Sequence, residues 1–144
     1  MSALRSLCCA LLFVLSAADR PQEAAAPAFV TLDVFVDAGA ARLGAWQLEL
    51  VATTAQLVGV EGGLAVAFRD APKYDPAALK GHRVILAALA SGDDLPTGRT
   101  RVARVHLMEP DGKRGDYTLR GVVAVSGDGE RIDAAASLTP QGDK

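Results

Sequence analysis

A chain of 144 residues with a net charge of −2 is long enough for one domain and has no excess of basic residues. Lysine and arginine are scattered rather than grouped, and aromatic residues make up only 5% of the chain, so nucleic acid is not expected as a partner. The two cysteines, Cys8 and Cys9, lie in a hydrophobic N-terminal segment. This position excludes a disulfide framework and a thiolate metal site in the rest of the chain.

The first 18 residues are typical of a secretory signal peptide. Arg5 precedes an apolar run at residues 7–15, and small residues follow at 16–18. The run is far shorter than the roughly 20 residues that span a bilayer, so cleavage is favoured over a membrane anchor. No cysteine follows the run, as a lipid anchor would require. We therefore expect an exported protein, periplasmic or extracellular, that does not span the membrane once processed.

The remaining chain divides into a leader, one domain and a tail. Residues 19–27 (DRPQEAAAP) are rich in alanine, proline and charge, which predicts a disordered leader. Residues 28–138 are sufficient for an independent hydrophobic core. Residues 139–144 (TPQGDK) predict a frayed tail.

The first half of the domain alternates apolar and other residues with the period of two that indicates β-strands. Trp46 has the same parity as Leu48 and Leu50, which favours a core position over an exposed sugar-stacking position. Strands are predicted at residues 29–36, 43–52, 57–60 and 64–68.

The second half also predicts strands. Residues 84–90 are apolar throughout, which suits a strand buried on both sides. Residues 101–108 alternate, and Tyr117, Leu119, Val123 and Val125 share one phase in the following strand. The Asp-Gly turn between these two strands predicts that they pair as a hairpin. A last strand is expected at residues 132–138.

Short strands separated by Gly, Asp and Pro turns predict an all-β protein. The number of strands, about eight or nine, and their spacing indicate a jelly-roll-like antiparallel β-sandwich.

The sequence offers no constellation of catalytic or metal-binding residues. His82 and His106 have no His or Cys partner at metal-ligand spacing, and no G-x-S-x-G motif is present. The adjacent acids Asp93 and Asp94 are better explained by a solvated loop than by acid–base catalysis. We therefore expect a protein that is not an enzyme, with no catalytic residue, no metal ligand and no cofactor.

Five residues are candidates for a binding role. If Ala103, Val105 and Leu107 point inward, Arg104 and His106 point outward, and the same logic places Thr118 and Arg120 outward on the next strand. In a hairpin these four side chains share one surface, either an ordinary solvated face or a basic patch for an acidic partner. Tyr74 is the aromatic residue expected to be exposed on a loop.

Three segments resemble cohesin modules, the β-sandwich domains of bacterial cell-surface scaffolds: LGAWQLELVATTAQLVGVEGG, GHRVILAALASGDDLPTGRTRVARVHLME and YTLRGVVAVSGDGERIDAAASL. Cohesins commonly have a Tyr-Asp-Pro-like turn where this chain has Val-Ala-Thr-Thr-Ala at residues 51–55. The resemblance implies a non-enzymatic module that binds another exported protein, with a dockerin-like module as one possible partner. The superfamily also includes carbohydrate-binding modules, so a module that binds a polysaccharide is the alternative.

Overall fold

The computed structural model of the protein describes residues 24–141, which form a sandwich of two antiparallel β-sheets. The predicted signal peptide, most of the predicted leader and the last three residues lie outside this range. The strands in chain order are β1 (Ala28–Asp37), β2 (Leu43–Ala52), β3 (Gln56–Gly62), β4 (Arg83–Leu89), β5 (Arg99–Glu109), β6 (Tyr117–Ser126), β7 (Arg131–Ile132) and β8 (Ala135–Pro140). Single turns of 3-10 helix occur at Val66–Phe68 and Pro76–Ala78.

The strands are divided between two sheets of four. The order is β3-β5-β1-β8 in the first sheet and β4-β2-β6-β7 in the second sheet. All pairs of neighbouring strands are antiparallel. The chain changes sheet at every connection except the turn between β6 and β7. The prediction of an all-β, jelly-roll-like antiparallel sandwich is confirmed.

The core lies between the sheets and is built from one face of each. Leu32 and Val34 of β1 and Leu48 and Leu50 of β2 are completely buried. Burial of a large aliphatic side chain stabilises the fold by about 1.5–3 kcal/mol. The alternation in the sequence therefore reflects the two faces of each sheet, one packed against the core and the other directed outward.

Trp46 is a core residue, as the sequence predicted. Its side chain is 2% exposed and packs edge to face against Phe68, with 6.3 Å between the ring centroids and 74° between the ring planes. The indole Nε1 is buried and has no hydrogen-bond partner. Trp46 therefore serves as a packing anchor rather than as an exposed platform for a ligand.

The predicted strand at residues 64–68 is wrong, because this segment is a loop and one turn of 3-10 helix. The N–H of Gly63 donates to the carbonyl of Phe68 at 2.6 Å and closes the loop. A side chain at Gly63 would collide with the backbone of β5. Phe68 returns to the core, whereas Leu64 and Val66 are mostly exposed. Residues 64–68 thus alternate between apolar side chains and alanine although the segment pairs with no strand of either sheet.

β4 is a strand, as expected, but the prediction that it is buried on both sides is wrong. Val84 and Leu86 face the core, whereas Ile85 is 47% exposed and Leu89 is 84% exposed. A strand buried on both faces needs a covering layer on each side, and the sandwich has only two layers. The continuous apolar run therefore marks a strand whose outer face is apolar.

The C-terminal segment forms two strands instead of the single strand predicted at residues 132–138. β7 pairs with β6 in the second sheet, and the chain then crosses to the first sheet, where β8 pairs with β1. β8 continues to Pro140, and the N–H of Gln141 donates to the carbonyl of Thr31 at 2.8 Å. Regular structure therefore extends past Leu138, where the domain was predicted to end.

Candidate protein-binding surface

The outer face of the second sheet carries a group of apolar side chains, which we call the apolar patch. Its members occupy two neighbouring rows across β4, β2 and β6: Leu89, Ala45 and Val125, then Ala87, Gln47 and Val123. Gln47 is the polar member of this set. Leu89 is the most exposed of the large hydrophobic residues in the described chain. The patch is contiguous because the register aligns the small and apolar side chains of three adjacent strands.

A shallow depression of about 320 Å³ lies over the apolar patch and is bordered by Lys73. The Lys73 segment is attached to the edge of β4 by two backbone hydrogen bonds. Lys73 N–H donates to Ala87 O at 2.8 Å, and Ala87 N–H donates to Lys73 O at 3.0 Å. The depression therefore has a floor of paired strands and one side that the backbone holds in place.

A β-bulge in β6 determines which side chains reach the patch. Gln47 of β2 pairs with Val123, but Glu49, two residues further along β2, pairs with Arg120. β6 therefore contains one extra residue in this interval. Gly121 lies within it and has a φ of 59°, a left-handed conformation that glycine adopts without steric cost.

The bulge reverses the parity of β6, and this is where the sequence prediction fails. Before the bulge, Tyr117 and Leu119 pack against the core, but after it the core residue is Ala124. Val123 and Val125 face outward instead of sharing the inward phase of Tyr117 and Leu119. The glycine in the middle of the strand was the available signal, because glycine inside a strand pattern often marks a bulge.

The row of side chains next to Ala87, Gln47 and Val123 brings charged residues to one border of the apolar patch. That row contains Ile85, Glu49 and Arg120 across the same three strands. Glu49 forms an ion pair with Arg83, and Arg120 is exposed. An apolar centre beside charged residues is the arrangement found in many protein interfaces.

The predicted hairpin of β5 and β6 is wrong, and the four residues assigned to it do not share one surface. β5 pairs with β1 and β3, whereas β6 pairs with β2 and β7. Arg104 and His106 therefore lie on the outer face of the first sheet, while Thr118 and Arg120 lie on the outer face of the second. An Asp-Gly turn reverses the chain locally but does not specify the strand that the chain joins next.

Arg104 does point outward, but its charge is paired. Its Nε and Nη2 atoms donate to the two carboxylate oxygens of Asp33 at 2.7 and 3.2 Å, and Arg101 Nη1 lies 3.6 Å from the same carboxylate. Asp33 is only 4% exposed. The hydrogen bond to Asp33 raises the pKa of Arg104. These contacts form an ion-pair network instead of a free basic surface.

His106 is also held by neighbours on the first sheet. Its Nε2 lies 2.8 Å from Glu61 Oε1, and its Nδ1 lies 3.2 Å from Thr31 Oγ1. A carboxylate beside the imidazole does not suit an acidic partner. A binding role for Arg104, His106, Thr118 and Arg120 remains a prediction.

Tyr74 is not the exposed aromatic residue that the sequence suggested. It is partly buried and packs against the hydrophobic core. Phe29, on the outer face of the first sheet, is instead 66% exposed. Tyr74 and Trp46 therefore do not combine into an aromatic surface, and binding by Tyr74 remains a prediction.

A polar cluster at one end of the sandwich is built around Glu109, whose side chain is completely buried. Its Oε1 accepts hydrogen bonds from the Tyr117 hydroxyl at 2.6 Å and the Gly115 N–H at 2.8 Å, and its Oε2 accepts from the Thr54 hydroxyl at 2.6 Å. We call these four residues the Glu109 cluster. It ties the β5–β6 connection to the turn after β2, and its groups are all satisfied.

The Glu109 cluster shifts two pKa values in opposite directions. Burial alone would raise the pKa of Glu109, but the three hydrogen bonds, together with the nearby charge of Arg114, outweigh it and lower that pKa below its usual value. Burial and the hydrogen bond to Glu109 raise the pKa of Tyr117 to about 12. Both shifts favour an ionised Glu109 beside a neutral Tyr117 near neutral pH.

Within residues 24–141, no group of three or more His, Cys, Asp or Glu side chains is positioned to hold a metal ion. No helix in the same part of the chain is long and apolar enough to cross a membrane.

No family model matches the chain, and no curated protein matches it. Among solved structures, the fold is similar to that of a non-cellulosomal cohesin from the hyperthermophilic archaeon Archaeoglobus fulgidus. The TM-score is 0.57 at 16% sequence identity, and the match covers 76% of this chain and 75% of that chain. At this identity the similarity concerns the fold, and it confirms the architecture that the resemblance implied. The chain thus has a cohesin-like β-sandwich fold.

Proposed function

We propose that the protein is a non-catalytic module that binds another protein through the apolar patch on the second sheet. The observation that carries this proposal is the alignment of five apolar side chains in two adjacent rows on an outer sheet face. The outer face of an antiparallel sheet is ordinarily polar. A contiguous apolar surface with a charged border is characteristic of an interaction site.

The cohesin-like fold and the N-terminal sequence support a more specific form of this proposal. The partner is another exported protein, with a dockerin-type module as the first candidate, and the two meet in the periplasm or outside the cell. The signal-peptide pattern of residues 1–18 is the support for export. In this role the domain supplies a rigid surface and performs no reaction.

A polysaccharide ligand is the alternative suggested by the superfamily, and the geometry supports it less. Sugar sites commonly combine an exposed aromatic face with convergent polar groups. Trp46 is buried in the core, Tyr74 packs against it, and the apolar patch contains no aromatic side chain.

The test compares two substitutions that place the same charge at exposed apolar positions on opposite faces. Leu89→Asp alters the apolar patch, and Phe29→Asp is the matched control on the first sheet. Both wild-type side chains are mostly exposed, so neither change removes a core contact. The partner is first isolated from the host's secreted proteins by crosslinking to the full chain and is then purified for affinity measurements.

We expect Leu89→Asp to weaken binding at least tenfold, or about 1.4 kcal/mol, because the interface would desolvate an unpaired carboxylate. Phe29→Asp should leave the affinity unchanged. Equal effects of the two substitutions, or none, would place the interface elsewhere. A glycan array provides the second arm: saturable binding to a polysaccharide that persists in Leu89→Asp would favour the carbohydrate alternative.

A further inference from the structure

β8 is a lateral edge of the first sheet, and within residues 24–141 no strand lies on its outer side. The N–H of Gln141 donates to the carbonyl of Thr31, so Gln141 and Thr31 form a hydrogen-bonded pair that extends the ladder between β8 and β1. Bonded and non-bonded pairs alternate along an antiparallel ladder, so the odd-numbered residues of β8 direct their backbone groups toward β1. The N–H and C=O groups of Ala136 and Leu138 therefore point away from the sheet.

The other three lateral edges carry structural features that hinder further pairing. On β3, Leu57 exchanges hydrogen bonds with a neighbouring turn, since Lys80 N–H donates to its carbonyl and its own N–H donates to Gly81 O. On β4, the Lys73 segment occupies the middle of the edge. The other edge of the second sheet is β7, which is only two residues long and covers the second half of β6, and the uncovered part of β6 contains the Gly121 bulge. Covers and bulges of this kind protect sheet edges from other chains.

The sequence of β8 contains none of the charges that usually discourage edge pairing. Residues 134–141 read AAASLTPQ, with no charged side chain, and Pro140 is the last residue of the strand. Ala136 and Leu138 pack against the core but remain partly exposed. A strand placed beside β8 would therefore meet free hydrogen-bonding groups and apolar surface. The strand itself carries no charge, and the guanidinium of Arg99 reaches it from β5, donating to Thr139 Oγ1 at 3.2 Å.

We propose that β8 is the edge through which a second copy of this chain binds, joining two first sheets into one continuous sheet. Two identical antiparallel strands are self-complementary across a two-fold axis. With the two Ser137 residues opposite each other, Ala136 of each copy lies opposite Leu138 of the other. These outward-facing groups form about four N–H···O=C hydrogen bonds.

Two properties of the edge favour a second copy over an unrelated extended peptide. The absence of charge in β8 means that identical strands do not repel each other, and a two-fold contact uses this edge on both copies and closes at a dimer. The apolar patch lies on the other sheet and remains open. A dimer therefore presents two patches, which increases the strength of attachment to a partner that carries more than one binding site.

The first test measures the mass of the full chain by sedimentation equilibrium over a wide range of concentration. Ser137→Lys places two ammonium groups opposite each other at the two-fold axis, where like charges destabilise a cross-strand pair. Thr118→Lys is the control, because it adds the same charge at an exposed position of β6. We expect a dimer for the wild type and for Thr118→Lys, and a dissociation constant at least tenfold higher for Ser137→Lys.

The second test is a disulfide across the axis, in a chain whose Cys8 and Cys9 are replaced by serine. In the proposed dimer the two Ser137 residues face each other as a pair without backbone hydrogen bonds between them. The Cα atoms of such a pair are about 4.5 Å apart, a distance that a disulfide spans. Ser137→Cys should form a covalent dimer on mild oxidation, and Thr118→Cys should not.

Three results would overturn the inference: a monomer at every concentration, a dimer that Ser137→Lys does not weaken, or assembly beyond the dimer. A monomer that binds an extended peptide at β8 would assign the edge to another protein and also contradict it. Leu89→Asp should leave the dimer intact, so failure of this inference is distinguishable from failure of the proposed function.

Discussion

Replacing Glu109 by glutamine tests the Glu109 cluster with little change in shape. Three donor atoms lie 2.6 to 2.8 Å from the carboxylate oxygens of Glu109. A hydrogen bond to a charged group contributes about 1.5–3 kcal/mol, against about 1 kcal/mol for a neutral one, so three weakened bonds lose roughly 3 kcal/mol. The smaller desolvation cost of an amide offsets part of this loss. We expect Glu109→Gln to lower the free energy of unfolding by about 2 kcal/mol at pH 7.

The effect should depend on pH in a defined direction. The pKa of Glu109 is lower in the folded state than its usual value, so its contribution is present above the unfolded pKa of about 4.3. It is lost as the pH falls through the folded-state pKa. The stability difference between wild type and Glu109→Gln should therefore shrink at acidic pH.

Urea unfolding followed by Trp46 fluorescence at pH 7 and at pH 3 measures the stability difference and its dependence on pH. The signal changes because the buried indole becomes exposed to solvent when the domain unfolds. Glu130→Gln is the control, since Glu130 is exposed and should give a difference below about 0.5 kcal/mol at either pH. Tyr117→Phe removes one donor and retains the charge, and should cost less than Glu109→Gln. A Glu109→Gln variant as stable as the wild type at pH 7, or a difference that persists unchanged at pH 3, would refute the reasoning.

Two further predictions concern packing and the ion-pair network. Trp46→Ala should lower the free energy of unfolding by about 3–5 kcal/mol, and wild-type Trp46 emission should be blue-shifted in the folded state; emission like that of free tryptophan would contradict the core assignment. Arg104→Met should cost about 1.5–3 kcal/mol because Asp33 is nearly buried, whereas Arg120→Met should cost less than about 0.5 kcal/mol. Similar losses in chemical denaturation of the two methionine variants would count against the network.

The fold was predictable from the sequence wherever a strand alternates between one packed and one open face. β1, β2 and β5 follow this pattern, and Trp46 falls on the packed side. The alternation reports the burial of each side chain, and burial is a local consequence of the sheet. It does not report which strands pair, since pairing depends on the path of the chain between the sheets.

The candidate site was less predictable for the same reason. Arg104 and Arg120 were correctly placed on outer faces, but their assignment to one surface required a strand pairing that the chain does not make. Asp33, which neutralises Arg104, is distant in the sequence and has the parity of an ordinary exposed residue. The apolar patch was missed because Val123 and Val125 were assigned to the core, and a one-residue irregularity decided their direction.

The bulge at Gly121 makes the chemistry of this surface depend on backbone conformation as well as on side-chain identity. If β6 kept its present length but ran without the bulge, strict alternation would turn Val123 and Val125 inward and Ala124 outward. Both faces of the sheet would then change although none of these three side chains had been replaced. A substitution at Gly121 that disfavours its left-handed conformation would thus act on the adhesive face through the direction of residues further along the strand.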